Sequence, residues 1–98
     1  MFLAKVIGNV VAPQKAPELG GMKLMMIQPY ITRDGALIVS GSSVVAADCV
    51  GAGIGEFILF TQGSSARLTA RTKGMPVDAV IVGIVDSVEV EGKVLEKP

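Results

Sequence analysis

The chain has 98 residues, of which 50% are apolar and 18% are charged, against roughly 25% charged residues in an average soluble protein. Nine Lys and Arg residues balance nine Asp and Glu residues, which gives no net positive charge to attract nucleic acid, and the lone Cys49 excludes an internal disulfide. A single domain of this length has much surface for its volume, so the apolar content predicts that other copies cover part of it.

Short runs rich in β-branched and aromatic residues, separated by Gly, Pro and Asp turns, predict strands along the whole chain. In chain order the predicted strands cover residues 2–11, 23–28, 36–39, 44–47, 56–61 and 77–90. Pro29 is expected to end the second strand, and Asp34-Gly35 is expected to turn the chain into the third. A polar tail is expected to begin at Glu91-Gly92.

One short helix is predicted between the last two strands. Ser64 or Ser65 is expected to cap a helix over residues 66–70, because a serine oxygen can accept hydrogen bonds from free helix amides. Gly74 and Pro76 are expected to end this segment.

Many short strands and at most one short helix predict an all-β fold, a five-stranded OB-like barrel. Residues 24–27 and 80–85 are apolar on both sides of their strands. One side of each strand can fill the barrel, and we expect a neighbouring subunit to cover the other side.

Residues 48–56, Asp-Cys-Val-Gly-Ala-Gly-Ile-Gly-Glu, look at first like a phosphate-binding glycine loop. A dinucleotide-binding loop requires glycine at its sixth position and a helix after it. Here the sixth position is Glu56, and the residues that follow predict a strand. We therefore expect these glycines to shape the backbone between two strands.

The residues that usually carry catalysis are missing or isolated. The chain has no His to act as a general base, and Cys49 is expected to be a small buried apolar residue. The carboxylate pairs Asp48 with Glu56 and Asp34 with Asp86 are better explained by turns and strand ends. The sequence therefore predicts no enzyme, no cofactor and no metal site.

Binding of single-stranded nucleic acid or of a small ligand remains an alternative, because OB-like barrels are used for it. The chain has only four aromatic residues, and a solvated face explains the cluster of Arg67, Arg71 and Lys73. No signal peptide is apparent, and the apolar block at residues 79–85 is far shorter than the ~20 residues of a membrane helix. A soluble, cytosolic protein is expected.

Several short pieces also share an order and spacing that span residues 6–86. The pieces are Val6-Ile7-Gly8-Asn9-Val10-Val11-Ala12; Lys15, Pro17, Leu19, Gly21 and Lys23-Leu24; Ile27-Gln28-Pro29; Ala46-Ala47-Asp48 with Val50-Gly51-Ala52-Gly53-Ile54-Gly55-Glu56; Gly63-Ser64-Ser65-Ala66-Arg67; and Pro76-Val77-Asp78-Ala79 with Val82-Gly83-Ile84-Val85-Asp86. Taken together they resemble the pentameric shell-vertex proteins of bacterial microcompartments, the EutN/CcmL family.

The resemblance implies a non-enzymatic, cytoplasmic shell protein that forms a ring of five at the corners of a polyhedral shell. Its partners would be its own copies and hexameric shell proteins, with no nucleic acid and no membrane. Residues 1–86 would form the shell-protein domain, and residues 87–98 would be a C-terminal strand extension and tail of the same domain.

By the same resemblance, the last strand and the glycine loop are expected to contribute to the ring. The predicted residues of a subunit interface or pore are Gly51, Ala52, Gly53, Ser64, Ser65, Arg67, Asp78, Ile81 and Val82. For Arg67 and Asp78 two alternatives stay open: they pair between subunits, or they are solvated charges.

Overall fold

A computed structural model describes residues 1–13, 15–69, 72–73 and 77–98 of the chain. Its regular elements are strands and two short 3-10 turns, Pro17–Leu19 and Gly63–Arg67. In chain order the strands are β1 (Phe2–Val10), β2 (Lys23–Arg33), β3 (Ala36–Val39), β4 (Val44–Asp48), β5 (Phe57–Gln62), β6 (Ala79–Val85), β7 (Glu89–Val90) and β8 (Lys93–Val94).

Five strands close into a barrel in the order β1-β5-β6-β4-β2, because β1 pairs with β2 as well as with β5. β3 pairs with the outer end of β2 and lies outside this ring of strands. The barrel pairings are antiparallel except for a short parallel contact between β4 and β6, at Ala47–Val80 and Asp48–Ile81. This arrangement confirms the predicted all-β fold and five-stranded OB-like barrel.

Alternating side chains fill the barrel, as β1 illustrates. Ala4 and Val6 are fully buried in the interior, whereas Lys5 between them lies on the outer side. The interior cluster consists of Ala4, Val6, Met25, Ile27, Ala46, Ala52, Ile58, Phe60, Ala79 and Ile81.

The turn between β2 and β3 has the predicted hairpin geometry. Asp34 and Gly35 both have positive φ angles, 51° and 74°, which is the conformation of a tight hairpin turn that follows the twist of its strands.

Pro29 does not end β2, contrary to the sequence prediction. One edge of β2 pairs with β4 along residues 23–27 and with β3 along residues 30–33, so Pro29 lies between the two pairings. Its carbonyl accepts a hydrogen bond from the Ser40 N–H at 3.0 Å, and in an extended chain the nitrogen of a residue faces the same side as its carbonyl. The nitrogen of Pro29 therefore faces the gap between β3 and β4, where neither of these two strands needs a hydrogen-bond donor.

The last long strand is shorter than predicted, since β6 covers only Ala79–Val85. The expected polar tail is also wrong, because β7 and β8 form a second hairpin. Glu91 and Gly92 make its turn with φ angles of 53° and 79°. Leu95, just after the hairpin, is 4% exposed and packs with Leu37 and Phe57. Residues 87–98, called the arm below, therefore fold back onto the barrel.

In place of the helix predicted over residues 66–70, the structure has a 3-10 turn at Gly63–Arg67, which overlaps the predicted helix only at Ala66 and Arg67. This turn begins before Ser64 and Ser65, so the two serines lie inside it and not at a helix cap. The hydroxyl of Thr72 donates to the Ala66 carbonyl at 2.6 Å, which satisfies the oxygen that a continuing helix would use.

The predicted positions Ala70, Arg71, Gly74 and Pro76 lie outside the described residues. Within the described part of the chain, no helix is both long and apolar enough to cross a membrane.

Candidate subunit interface

The chain covers the outer wall of its own barrel in two places. In the first, the arm and β3 pack over the outward side chain of Phe57. In the second, Leu19 and Ala66 of the two 3-10 turns pack over Val80 of β6. Between these covered regions, two parts of the wall carry side chains that remain partly exposed.

The first uncovered part, called the β2 face, combines outward residues of β1, β2 and β4. Cross-strand pairs put Gly8 beside Met26, Met26 beside Val45, and Val10 beside Leu24. None of these five residues has a polar side chain, and Val45 is 43% exposed. The β2 face is therefore a continuous apolar surface on the outside of a barrel that is already filled.

The second uncovered part, called the β5 face, lies on the other side of β1. It consists of Leu59 and Thr61 of β5, with Leu3 of β1 and Gly83 of β6 as cross-strand neighbours of Leu59. All four residues are partly exposed in the single chain, although Leu3 also packs against the cluster around Phe57 and the hydroxyl oxygen of Thr61 is buried. The outer wall thus offers two different surfaces for contact with other molecules.

The last strand reaches the β5 face, but through Gly83 and not through the predicted Ile81. Ile81 points into the barrel and is fully buried, so its side chain has no surface left for another subunit. Val82 is the extra residue of a β-bulge and is partly exposed. An interface role for Val82 stays a prediction.

The glycine loop, residues 49–56, is held closed by the carboxylate of Asp48, which is 4% exposed. This carboxylate accepts hydrogen bonds from the backbone N–H groups of Val50 at 3.0 Å, Gly51 at 3.1 Å and Ala52 at 2.9 Å. These amides point at a carboxylate of the same chain, so they are not available to surround a phosphate. The geometry agrees with the interpretation that the glycines shape the backbone.

The predicted interface residues of this loop differ in their surroundings. Gly51 is exposed with a φ of 77°, and the N–H of Gly53 donates to Glu56 Oε1 at 2.6 Å. Ala52 is fully buried in the barrel core, so any role of its side chain in an interface is indirect. The loop presents Ile54, which is 62% exposed. A role of the loop in a subunit interface or pore stays a prediction.

The other predicted residues lie around the second 3-10 turn. Ser64 is exposed, and Ser65 is its neighbour in the same turn. Arg67 Nη1 donates to the Val77 carbonyl at 3.4 Å, and Asp78 is exposed. Both alternatives for Arg67 and Asp78, pairing between subunits or solvation, remain compatible with these positions.

Neither the thiol nor the carboxylates form a recognisable reaction centre. Cys49 is half-buried and packs against the cluster around Val80, which fits a small apolar residue. Among the described residues, no group of three or more His, Cys, Asp or Glu side chains comes together as a metal site would require.

The four aromatic rings are engaged within the chain. Phe2 lies 5.5 Å from Phe60, and Tyr30 lies 5.1 Å from Phe57, measured between ring centroids. Phe57 and Phe60 are buried. Proteins that bind single-stranded nucleic acid present several rings on which bases stack, whereas of these four rings only that of Phe2, which is 51% exposed, is largely open.

The predicted interface residues did not include Gly8, Met26, Leu59 or Gly83, although Met26 and Gly83 lie in the two runs whose outer side was expected to be covered by a neighbouring subunit. The signal for them was the apolar character of both sides of a strand. In β2, for example, Met25 is fully buried inside the barrel and Met26 lies outside.

Sequence comparison links the chain to shell vertex proteins. It is 42% identical to the carboxysome shell vertex protein CcmL of Gloeobacter violaceus over 97% of this chain and 92% of that one. It is 44% identical to the bacterial microcompartment shell vertex protein GrpN of Rhodospirillum rubrum over 91% of this chain and 97% of that one.

The same relatives share its structure. Gloeobacter violaceus CcmL superimposes with a TM-score of 0.85 at 39% identity over 96% of this chain and 94% of that one. The GrpN structure, described as a pentameric microcompartment shell protein, gives a TM-score of 0.74 at 44% identity over 92% of this chain and 98% of that one.

A family model described as ethanolamine utilisation protein EutN/carboxysome matches residues 1–86. The matched segment contains every strand of the barrel and both uncovered faces. This chain belongs to the EutN/CcmL family.

Proposed function

We propose that this chain is a structural protein that assembles as a homopentamer and closes the five-fold vertices of a bacterial microcompartment shell in the cytoplasm. The observation that carries the proposal is the pair of uncovered faces, apolar except for Thr61, on a barrel whose core is already filled. The names of the relatives support it, since they are shell vertex proteins and one is described as pentameric. These names describe structural components and not enzymes.

The geometry of a closed shell explains what such a pentamer does. Flat sheets of hexagonal tiles close into a polyhedron only when five-fold points are added at the corners. The partners of the ring are therefore hexameric shell proteins, which would contact its rim.

The arm belongs to the same structural domain as the barrel in this proposal. Residues 1–86 supply the barrel, and the arm adds Leu95 to the cluster around Phe57. Because Phe57 lies two residues from Leu59 on the same side of β5, the arm borders the β5 face.

Native mass spectrometry tests the homopentamer at micromolar concentration. The expected result is a dominant species of five subunits, and a stable monomer would contradict the proposal. The vertex role is tested by expression with hexameric shell proteins. Closed particles should form with this chain and should be lost without it, while closed shells of equal yield in both cases would exclude that role.

A further inference from the structure

We infer that the β2 face of one subunit packs against the β5 face of the next, with close backbone approach over Gly8 and Gly83. The inference rests on the proposed ring and names the surfaces that form it. It rests on the two partly exposed faces and on one glycine in each of them at which a Cβ would make only ordinary contacts.

Seven of the described glycines have positive φ angles, which explains why glycine occupies those positions. Among the four others, Gly20 and Gly53 are crowded by their own chain, since a Cβ would meet atoms at 3.1 Å and 3.3 Å. Gly8 and Gly83 have neither reason. A Cβ at Gly8 would lie 3.8 Å from the Met26 Cβ, and one at Gly83 would lie 3.7 Å from Leu59 Cδ1, which are ordinary contacts.

A glycine inside a strand weakens the strand and marks either a β-bulge or a close approach by another backbone. Gly8 and Gly83 each follow a bulge, at Ile7 of β1 and at Val82 of β6, and at both positions a Cβ would make only ordinary contacts in the single chain. Gly8 lies on the β2 face and Gly83 lies on the β5 face, so each uncovered face has one such glycine. On each face the glycine is next to a long side chain, Met26 or Leu59. Each face therefore has a shallow notch at its glycine beside a projecting long side chain. The projecting side chain of one face can enter the notch of the other, so the two faces can interdigitate.

Ring symmetry requires that the two faces differ. Five identical subunits related by rotation make a heterologous contact, in which one surface of a subunit meets a different surface of its neighbour. A same-face contact would instead produce a dimer that stops growing. The β2 and β5 faces are two different surfaces on opposite sides of β1, as a ring needs.

The first experiment fills the two notches. Gly8→Val and Gly83→Val fill the two positions, and a Cβ there would make only ordinary contacts; Gly8→Ala and Gly83→Ala, which add that Cβ alone, take their place if the valine variants do not fold. Each should raise the concentration at which the ring dissociates by at least about tenfold. Ala36→Val, at an exposed position of β3 outside both faces, is the matched control and should leave that concentration unchanged. Folding is checked by circular dichroism, and assembly by native mass spectrometry over a dilution series.

The second experiment identifies the paired faces by cross-linking in a Cys49→Ala background. Val45→Cys together with Gly83→Cys should give, with a short bismaleimide, a ladder of covalent species up to five subunits. Either cysteine alone should give only monomer on a denaturing gel. Met26→Cys with Leu59→Cys repeats the test on the same faces if the first pair fails to fold.

The outcomes separate this inference from the proposed function. Dimers from a single-cysteine variant, or no ladder from a pair that remains pentameric, would overturn the face assignment and leave the pentamer intact. A wild-type chain that remains monomeric would overturn the proposed function itself.

Discussion

The outer side of β5 contains two regions, one covered by a later segment of the same chain and one left partly exposed. Phe57 and Leu59 lie on the same side of this strand, two residues apart. Phe57 is 2% exposed under Leu95 of the arm, whereas Leu59 remains partly exposed next to Gly83. The first region is part of the fold of one subunit, and in the proposed ring the second is covered by another subunit.

The comparison shows that apolar character alone does not separate a core from an interface. Both regions use apolar side chains on the outer wall of the barrel. What differs is whether a later segment of the same chain returns to cover them. Substitutions in the covered region should therefore change folding, and substitutions in the uncovered region should change assembly.

The largest effect is expected in the covered region, from Leu95→Asp. This change places an unpaired charge in a site that is 4% exposed, and it should lower the free energy of unfolding by about 3 kcal/mol or more. Val94→Asp, at an adjacent position that is 61% exposed, should change it by about 0.5 kcal/mol or less. Urea unfolding at equal protein concentration measures both, and equal losses for the two variants would show that the arm does not cover Phe57.

A different kind of loss is expected in the uncovered region, from Val45→Asp on the β2 face. The subunit should fold, since Val45 is 43% exposed, but a charge buried between subunits should weaken assembly by at least about a hundredfold. Sedimentation velocity measures the loss. The control Val39→Asp, at a position of β3 that is 58% exposed and outside both faces, should remain assembled. If Val45→Asp also remained pentameric, the β2 face would not be an interface.

The smallest effect is expected at the turn of the arm, from Gly92→Ala. Gly92 has a φ of 79°, which a residue with a Cβ adopts with strain, so the midpoint of thermal unfolding should fall by an amount equivalent to about 1 kcal/mol. Glu91→Gly, at the neighbouring positive φ of 53°, should not destabilise the turn in the same way. Both variants should assemble normally, and a loss of assembly without a loss of stability would place the arm in the interface.

The barrel interior could be predicted from the sequence because strand alternation is a local property. The apolar run of residues 24–27 predicts a strand with two apolar sides. In the structure Met25 lies inside the barrel and Met26 lies on its outer wall. The effect of Pro29 was not predictable in the same way. Whether a missing N–H breaks a strand depends on the partners at that point, and here β3 and β4 meet on either side of it.

The candidate site was harder to predict, for reasons that β6 makes clear. The bulge at Val82 adds one residue between Ile81, which points inward, and Gly83, which lies on the outer side. A single extra residue changes which side chains face the surface. Gly83 signals a bulge in the apolar run of residues 80–85, but it does not tell which neighbouring residue is the extra one. The burial of Phe57 was hard to predict for a similar reason, because Leu95, which covers it, is far away in the sequence.

Methionine oxidation tests most directly whether a neighbouring subunit covers the β2 face. Met25 is fully buried in the barrel, Met26 is partly exposed on the β2 face, and Met1 is 74% exposed, so the chain contains its own references. In the wild-type protein we expect peroxide to oxidise Met1 quickly and Met26 as slowly as Met25. In Val45→Asp, Met26 should become reactive while Met25 stays protected. Equal oxidation of Met26 in the two proteins would contradict the account.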